Sequence, residues 1–437
     1  MKEKNFSQFY INILLVWLYI TALIFSIYKL SFTWAYQGIY FYQQSFLVYI
    51  IIYLLAIVPL FFLPKKLTLP SDYVNVYLYI FTFVPSVVIP FFLFKSDVFN
   101  WNYIFYLIVF LCCYLILLNK EGNRKSFLSE VKPLQKKNVI PFFVIIYIIA
   151  FILFVSTFGF KFTVPSLDDV YDVRAEYKEI TKGNILTRYF VGWMGYIINI
   201  FIFLVALDKK NKPLIIGTII FQFYIFSLMA LKSHLATMLL AFLLFLYFKK
   251  YKNLSTSKFI LFTTLLICSL VLIDRIIGQE LLEMLIIRRI LVVPSQLSYY
   301  HYNFFSQNPS TYWGYSIFKG IFTYPYTLAP PNIIGEKHFG RPEMTAVVNM
   351  FMEGYTAFGY LGILIVTLLF KFLLKIIDYI FKYKTRGDFI VIILFLGLFN
   401  VLNSTSILTL LITHGILILI VVTLLYPWKK MEKKLTQ

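Results

Sequence analysis

Of the 437 residues, 60% are hydrophobic, 14% are charged and 20% are aromatic, a balance that excludes a disordered chain and an ordinary soluble enzyme. The formal charge of +20 raises nucleic acid as a partner until its distribution along the chain is considered. Cys112, Cys113 and Cys268 all sit inside apolar runs, where they form neither a structural disulfide nor a thiolate metal site.

A helix needs about 20 apolar residues to cross a hydrocarbon core. About twelve such runs follow one another: Phe9 to Tyr28, Phe46 to Leu63, Tyr73 to Phe94, Trp101 to Leu118, Val139 to Phe160, Thr187 to Leu207, Leu214 to Leu231, Leu235 to Phe248, Phe259 to Ile277, Thr345 to Phe370, Phe389 to Asn403 and Ile407 to Tyr426. The first is too long for a signal-peptide core and lacks a small-residue cleavage site, so it reads as a retained helix. Lys232-Ser233-His234 reads as a short polar turn between two of the shorter runs, where a re-entrant hairpin is the competing reading. The pattern predicts an all-α polytopic membrane protein, a single integral membrane domain over 1–437 with both termini cytoplasmic.

Threaded alternately, the twelve runs place 26 of the 40 basic residues and 8 of the 20 acids on the side of the N-terminus, a net +18 there against +2 opposite. Nearly all the positive charge is therefore an orientation signal, which removes the case for nucleic acid and leaves membrane lipids as the partner of the basic loops.

Two segments on the opposite, extracytoplasmic side are long. The first, 161–186, holds a Ser166–Asp169 capping pair and a short amphipathic helix over Leu167 to Lys182, with Tyr171, Arg174 and Lys178 on one face. That face suits a phosphate, and it equally suits a helix lying on the bilayer. The second, 278–344, lies between the ninth and tenth runs and carries the expected active site. It opens with Glu280 and Glu283, then adjacent Arg288 and Arg289, whose guanidinium forks match a diphosphate; lipid-headgroup anchoring is the alternative. Twelve aromatic residues follow between Tyr299 and Tyr326, among them Tyr300, Tyr312 and Trp313, a composition shared by sugar-stacking surfaces and interfacial belts.

The stretch from Ala329 to Glu343 reads as a Pro/Gly-punctuated loop bearing Glu336, Lys337, His338, Arg341 and Glu343. Directly after it, Thr345, Asn349 and Glu353 recur every fourth residue as a polar stripe on an apolar helix, which makes Glu353 a pocket residue or a headgroup-layer carboxylate. His414 in the last run reads as a packing histidine, and His234 beside Lys232 as a phosphate contact or a snorkelling neighbour. No zincin, P-loop or serine-hydrolase motif and no metal-ligand spacing appears.

The layout, together with the helix from Asn349 through Glu353, Tyr355, Phe358 and Gly359 to Gly362, resembles the Wzy-type oligosaccharide repeat-unit polymerases and, more distantly, the O-antigen ligases. The resemblance covers most of the chain in layout and is residue-specific only in the segments 168–188, 231–240 and 288–362. Where many members carry an arginine after a small residue, this chain has Lys232-Ser233-His234.

The resemblance implies a metal-independent, cofactor-free glycosyltransferase in the bacterial plasma (inner) membrane. It would join undecaprenyl-diphosphate-linked oligosaccharide units into surface polysaccharide, with a chain-length regulator as a further partner. Arg174, Lys232, Arg288, Arg289 and Arg341 would hold the diphosphate, and His338, Glu343 or Glu353 would take the acceptor proton. Tyr299, Tyr300, Tyr312, Trp313 and Asn349 would contact sugar. The competing classes are a lipid-linked oligosaccharide transporter, against which the lack of an internal repeat counts, and another polyprenyl-phosphate-dependent glycosyltransferase, against which the acid-free stretch from Lys29 to Gln44 counts.

The charge split predicts that cysteines placed at Ser310 and Asp169 label with a membrane-impermeant maleimide in intact cells, or after outer-membrane permeabilisation in a Gram-negative host. One at Ser126 labels only after lysis. Labelling of position 126 from outside inverts the orientation.

Overall fold

The computed structural model describes residues 2–95, 101–119, 134–160, 162, 170–251, 254–316, 318–383, 387–399 and 404–428. Each of the twelve apolar runs contains helix, the last of them broken between Leu411 and Ile416, and among the described residues ten helices are long and apolar enough to cross a membrane. The helices Phe46–Phe61 and Gly387–Leu396 are apolar but shorter. The chain is an all-α multi-pass membrane protein by this measure. Its only strand pairing among the described residues is a two-residue ladder, Lys66–Leu67 against Leu254–Ser255.

The helix Pro70–Leu93 is buried on every side and forms the axis of the bundle. It contains Pro85 and Pro90 and a π turn over Tyr79–Phe83, each of which breaks the ladder of backbone bonds. Inside hydrocarbon a carbonyl so released must be paired by protein. The Ser86 carbonyl, which Pro90 cannot serve, accepts from the Tyr103 hydroxyl at 3.1 Å, and the Ile80 carbonyl accepts from the Tyr19 hydroxyl at 2.8 Å. Buried tyrosines of neighbouring helices thus replace the missing amides.

A second polar knot joins four helices. Asn199 donates to Gln222 Oε1 (2.6 Å) and accepts from the Tyr147 hydroxyl (2.6 Å), and Gln222 Nε2 donates to the carbonyls of Gly195 (3.0 Å) and His234 (2.9 Å). Gly195 lies in the π turn Met194–Ile198, so the glutamine serves a carbonyl exposed by irregular backbone.

Three sequence expectations are corrected. The turn between the shorter runs is at Ala230 and Leu231, Ala230 being left-handed (φ 51°), and Lys232-Ser233-His234 opens the helix Lys232–Lys250. The 329–343 stretch is largely the helix Pro330–Phe339, because paired prolines start a helix as readily as they interrupt one and left-handed Gly340 ends it. The 278–344 segment as a whole holds a long helical run, Glu283–Val292 continuing into Val293–Phe305.

The third correction concerns the span read over Thr345 to Phe370. The helix Met350–Tyr383 starts later and is folded on itself at Phe358 (φ −141°, ψ 22°) and Gly359 (φ 60°, ψ −144°). A side chain on Gly354 would meet the Gly362 oxygen at 2.6 Å and Val366 at 2.8 Å. In an unbroken helix, residues eight positions apart are separated by about 12 Å along the axis. Residues 350–357 are therefore a half-helix lying against 360–366, and the Thr345–Asn349–Glu353 stripe is not one helical face. Residues 360–383 alone retain a length of about 36 Å, enough to span. The Ser166–Asp169 capping pair falls outside the described residues; the helix after it is Val170–Ile180.

The fold at 358–359 depends on two glycine surfaces touching. Gly354→Ala and Gly362→Ala are each expected to destabilise the protein by about 1–3 kcal/mol or more through overpacking. Gly217→Ala, with open space around it, is the matched control and should be neutral. Thermal unfolding of detergent-purified protein reads the difference; equal melting of all three variants rejects the fold-back.

Candidate functional site

The site expected around the 278–344 segment is built on the helical run 283–305, the helix Pro330–Phe339 and the half-helix 350–357. The start of the run is fixed by acids. Asp274, at the end of the helix Thr256–Ile277, accepts the amides of Leu282 (3.1 Å) and Glu283 (2.7 Å), a helix N-terminus capped by a carboxylate from the preceding element. Glu283 pairs with Arg275, and burial pushes its carboxyl up to about 7 against the pull of that arginine. Glu280 accepts from the Thr33 hydroxyl at 2.5 Å, tying the run to the helix Lys2–Trp34.

Arg288 and Arg289 go to different surroundings. Arg289 is exposed. Arg288 is 9% exposed, stacks with its guanidinium carbon 3.8 Å from the centre of the Trp34 ring, and donates from Nη1 to Gln37 Oε1 at 2.7 Å. Two turns along, Gln296 Nε2 donates to the carbonyls of Gln37 (3.1 Å) and Gly38 (3.0 Å) and lies 3.3 Å from the Tyr300 hydroxyl. The opposite face of this contact is His338, whose ring stacks on Tyr300 with centroids 3.9 Å apart. Arg288, Gln37, Gln296, Tyr300 and His338 thus form one continuous patch. Burial, with Lys337 beside it, pushes the His338 imidazole below its usual pKa, which favours the neutral, proton-accepting form.

Glu353 lies on the half-helix and is 8% exposed. Its Oε1 accepts from Trp313 Nε1 (2.6 Å) and from the Tyr315 hydroxyl (2.9 Å), while Oε2 is buried with no hydrogen-bond partner among the described residues. The loop that brings these donors also pairs the amides of Thr311 and Tyr312 with the carbonyls of Thr356 and Ala357 (both 3.0 Å), which the fold at 358–359 leaves without helical partners. Tyr312 and Trp313 adopt left-handed backbone (φ 49° and 54°), a strained state for aromatic residues.

Asn349 is the cap of the half-helix: its Oδ1 accepts the amides of Phe351 (3.1 Å) and Met352 (3.0 Å), and its Nδ2 donates to Ser298 at 3.2 Å. Tyr299 is buried, stacked on Phe94 with centroids 4.1 Å apart. Tyr312 is 44% exposed, and Arg341 and Glu343 are exposed in the turn after the helix Pro330–Phe339.

Arg174 and Lys232 belong to a different neighbourhood. Arg174 Nη2 donates to the Ala230 carbonyl at 3.1 Å, so the helix Val170–Ile180 docks on the 230–231 turn, where Lys232 is exposed. Beneath them His234 is fully buried, stacked on Tyr196 at 4.3 Å and seated against Gly195, where no side chain would fit.

Sequence reasoning passed over Trp34, Gln37, Asp274, Arg275, Gln296 and His301. Gln296 and Tyr300 follow Arg288 at intervals of eight and four, a helical spacing visible in the sequence; Trp34 and Gln37 come from the far end of the chain and carry no local signal. Among the described residues no group of three or more His, Cys, Asp or Glu side chains is arranged as a metal site. No protein-family model, curated protein or solved structure matches the chain.

His301 ties the site together: Nε2 lies 2.9 Å from the Ala346 carbonyl and Nδ1 3.3 Å from the Thr356 hydroxyl. Burial pushes its pKa down to about 4, the Ala346 carbonyl opposing. An unfolded histidine titrates near 6.5, so between about 6.5 and 4 the unfolded chain binds a proton that the folded chain refuses. Stability from this group is complete above about 6.5 and is lost as pH falls to about 4, by roughly 3 kcal/mol. Comparing thermal unfolding at pH 7.5 and 4.5, His301→Asn should lose less stability on acidification than wild type; an unchanged difference removes His301 as a source.

Proposed function

We propose that the protein is a membrane glycosyltransferase that polymerises undecaprenyl-diphosphate-linked oligosaccharide repeat units at the outer face of the bacterial plasma membrane. The observation that carries this reading is the chain of contacts from buried Arg288 through Gln37, Gln296 and Tyr300 to half-buried His338, because the reaction needs both a cation for a diphosphate leaving group and a base for an acceptor hydroxyl. In this reaction the acceptor hydroxyl oxygen attacks the anomeric carbon of the donor unit, and the bond from that carbon to the diphosphate oxygen breaks. The hydroxyl proton passes to His338, and undecaprenyl diphosphate leaves with the electron pair, its charge held by Arg288. Glu353, with two donors on one oxygen and the other oxygen unpaired, is the second candidate for the base. Exposed Arg289 and Arg341 offer further cations to an anionic substrate.

One observation favours a second reading, a lipid-linked oligosaccharide transporter. A half-helix folded against its own continuation is a device of transporters, where interrupted helices line a substrate path.

Purified protein supplied with lipid-linked repeat units separates the two. The proposal expects a polymer ladder on a gel from wild type, and loss of the ladder by about 10²–10⁴-fold in rate when the true base is removed among His338→Ala, Glu343→Gln and Glu353→Gln. Arg288→Ala should abolish the ladder, with Arg288→Lys recovering little because a point charge does not reproduce a flat, stacked guanidinium. Wild-type protein that moves the units across a vesicle membrane without joining them establishes the transporter instead.

A further inference from the structure

Among the described residues, Arg288 is held by neutral groups. Among the described residues no carboxylate pairs with it: Glu280 accepts from Thr33, Glu283 pairs with Arg275, and Asp274 caps the amides of Leu282 and Glu283. Its one side-chain hydrogen-bond partner is the neutral amide of Gln37, one of its faces is covered by Trp34, and its buried Nε makes no hydrogen bond. A cation removed from water without a counter-charge is costly, so an arrangement of this kind favours an anionic ligand.

The holding residues are themselves fixed. Ala35–Gln37 form a single 3-10 turn at the end of the helix Lys2–Trp34, closed by left-handed Gly38 (φ 76°). A side chain at Gly38 would lie 2.8 Å from the Tyr300 hydroxyl and 3.1 Å from Gln296 Nε2, so glycine permits both the turn and the close approach. Gln296 then clamps the carbonyls of Gln37 and Gly38 to the helix that carries Arg288. A glutamine at position 37 orients the guanidinium without neutralising it, whereas a glutamate of the same shape would do both.

We propose that Trp34 and Gln37 are positioning residues for an anion site at Arg288: the indole face and the amide oxygen fix the plane of the guanidinium and leave its remaining terminal N–H groups to a polyprenyl diphosphate. The identity of that ligand rests on the glycosyl-transfer reading; the positioning itself does not. The site is therefore built from two segments distant in sequence, the end of the first helix and the start of the 283–305 run.

The test is binding rather than turnover, with the full chain in nanodiscs and undecaprenyl diphosphate as probe against undecaprenol as the uncharged control. Wild type should prefer the diphosphate. Gln37→Ala should weaken binding about tenfold, the scale of a hydrogen bond to a charged group. Gln37→Glu should weaken it further by occupying Arg288 internally, and Trp34→Phe should bind more tightly than Trp34→Leu. The readout that a merely structural role would not move is coupling: Gln37→Ala combined with Arg288→Ala should bind no more weakly than Arg288→Ala alone. Additive losses, or wild-type affinity in Gln37→Glu, overturn the positioning role, and equal affinity of wild type for diphosphate and alcohol overturns the anion site. Coupled binding by a wild-type protein that forms no polymer ladder supports the positioning and rejects the polymerase.

Discussion

A carbonyl oxygen inside hydrocarbon has no water to turn to, and the irregular parts of this protein are arranged around that constraint. The breaks in helical backbone at Pro90, at Gly195 and at Gly359 are each met by a donor from elsewhere in the chain. Tyr103 serves Ser86, which Pro90 leaves bare, and Gln222 serves Gly195 in a π turn. Thr311 and Tyr312 offer their amides to Thr356 and Ala357 where the helix folds at Gly359. The last case matters most for chemistry, because the loop drawn in to supply those amides also delivers Trp313 and Tyr315 to Glu353. A backbone defect and a buried carboxylate are therefore solved by one loop.

The same economy of partners explains why the candidate anion site is not self-neutralised. Four ionisable residues, Asp274, Arg275, Glu280 and Glu283, cluster where the 283–305 run begins, and each is committed to a cap, an ion pair or a hydroxyl. Arg288 lies about a turn and a half further on and receives an indole face and an amide instead. Were Glu283 rotated to serve Arg288, Arg275 would lose its ion-pair partner. The pairing that stabilises the start of the run thus keeps acids away from the arginine.

The helices were legible because a hydrocarbon core demands long apolar runs, and such runs survive in sequence whatever they pack against; the residues from Trp101 to Leu118 have the same limits in both readings. Local punctuation was ambiguous for a physical reason. Pro330-Pro331 and Gly340 are compatible with a loop and with a capped helix, and only the packing of Ile333 and Ile334 against the rest of the core separates the two. The contact of Gly354 with Gly362 is invisible in sequence, since a contact between two backbones leaves no mark beyond the absence of side chains. Arg288 and His338 stand out by residue type and by their place in the 278–344 segment, and the resemblance implies their roles. Of what joins them, Gln296 and Tyr300 follow Arg288 at helical spacing, whereas Gln37 is long-range and has no local pattern to reveal it.

The aromatic stretch shows how one composition divides into distinct physical tasks. Trp313 spends its N–H and Tyr315 its hydroxyl on Glu353, and Tyr299 is enclosed between Phe94 and Tyr103. Tyr300 has one face covered by His338. Of the four rings expected to meet sugar, Tyr312 is the one with a large open surface, and its left-handed backbone is what turns it outward while the adjacent Trp313 turns inward. That opposed pair costs on the order of 1–3 kcal/mol of strain per residue, sustained by the two amide bonds to the broken helix and the bond to Glu353. Loss of the Glu353 contact would free the loop to relax, so the exposed ring and the buried carboxylate are mechanically one unit. A substrate sugar stacking on Tyr312 would therefore press, through a single residue of strained backbone, on the group second in line to act as its base.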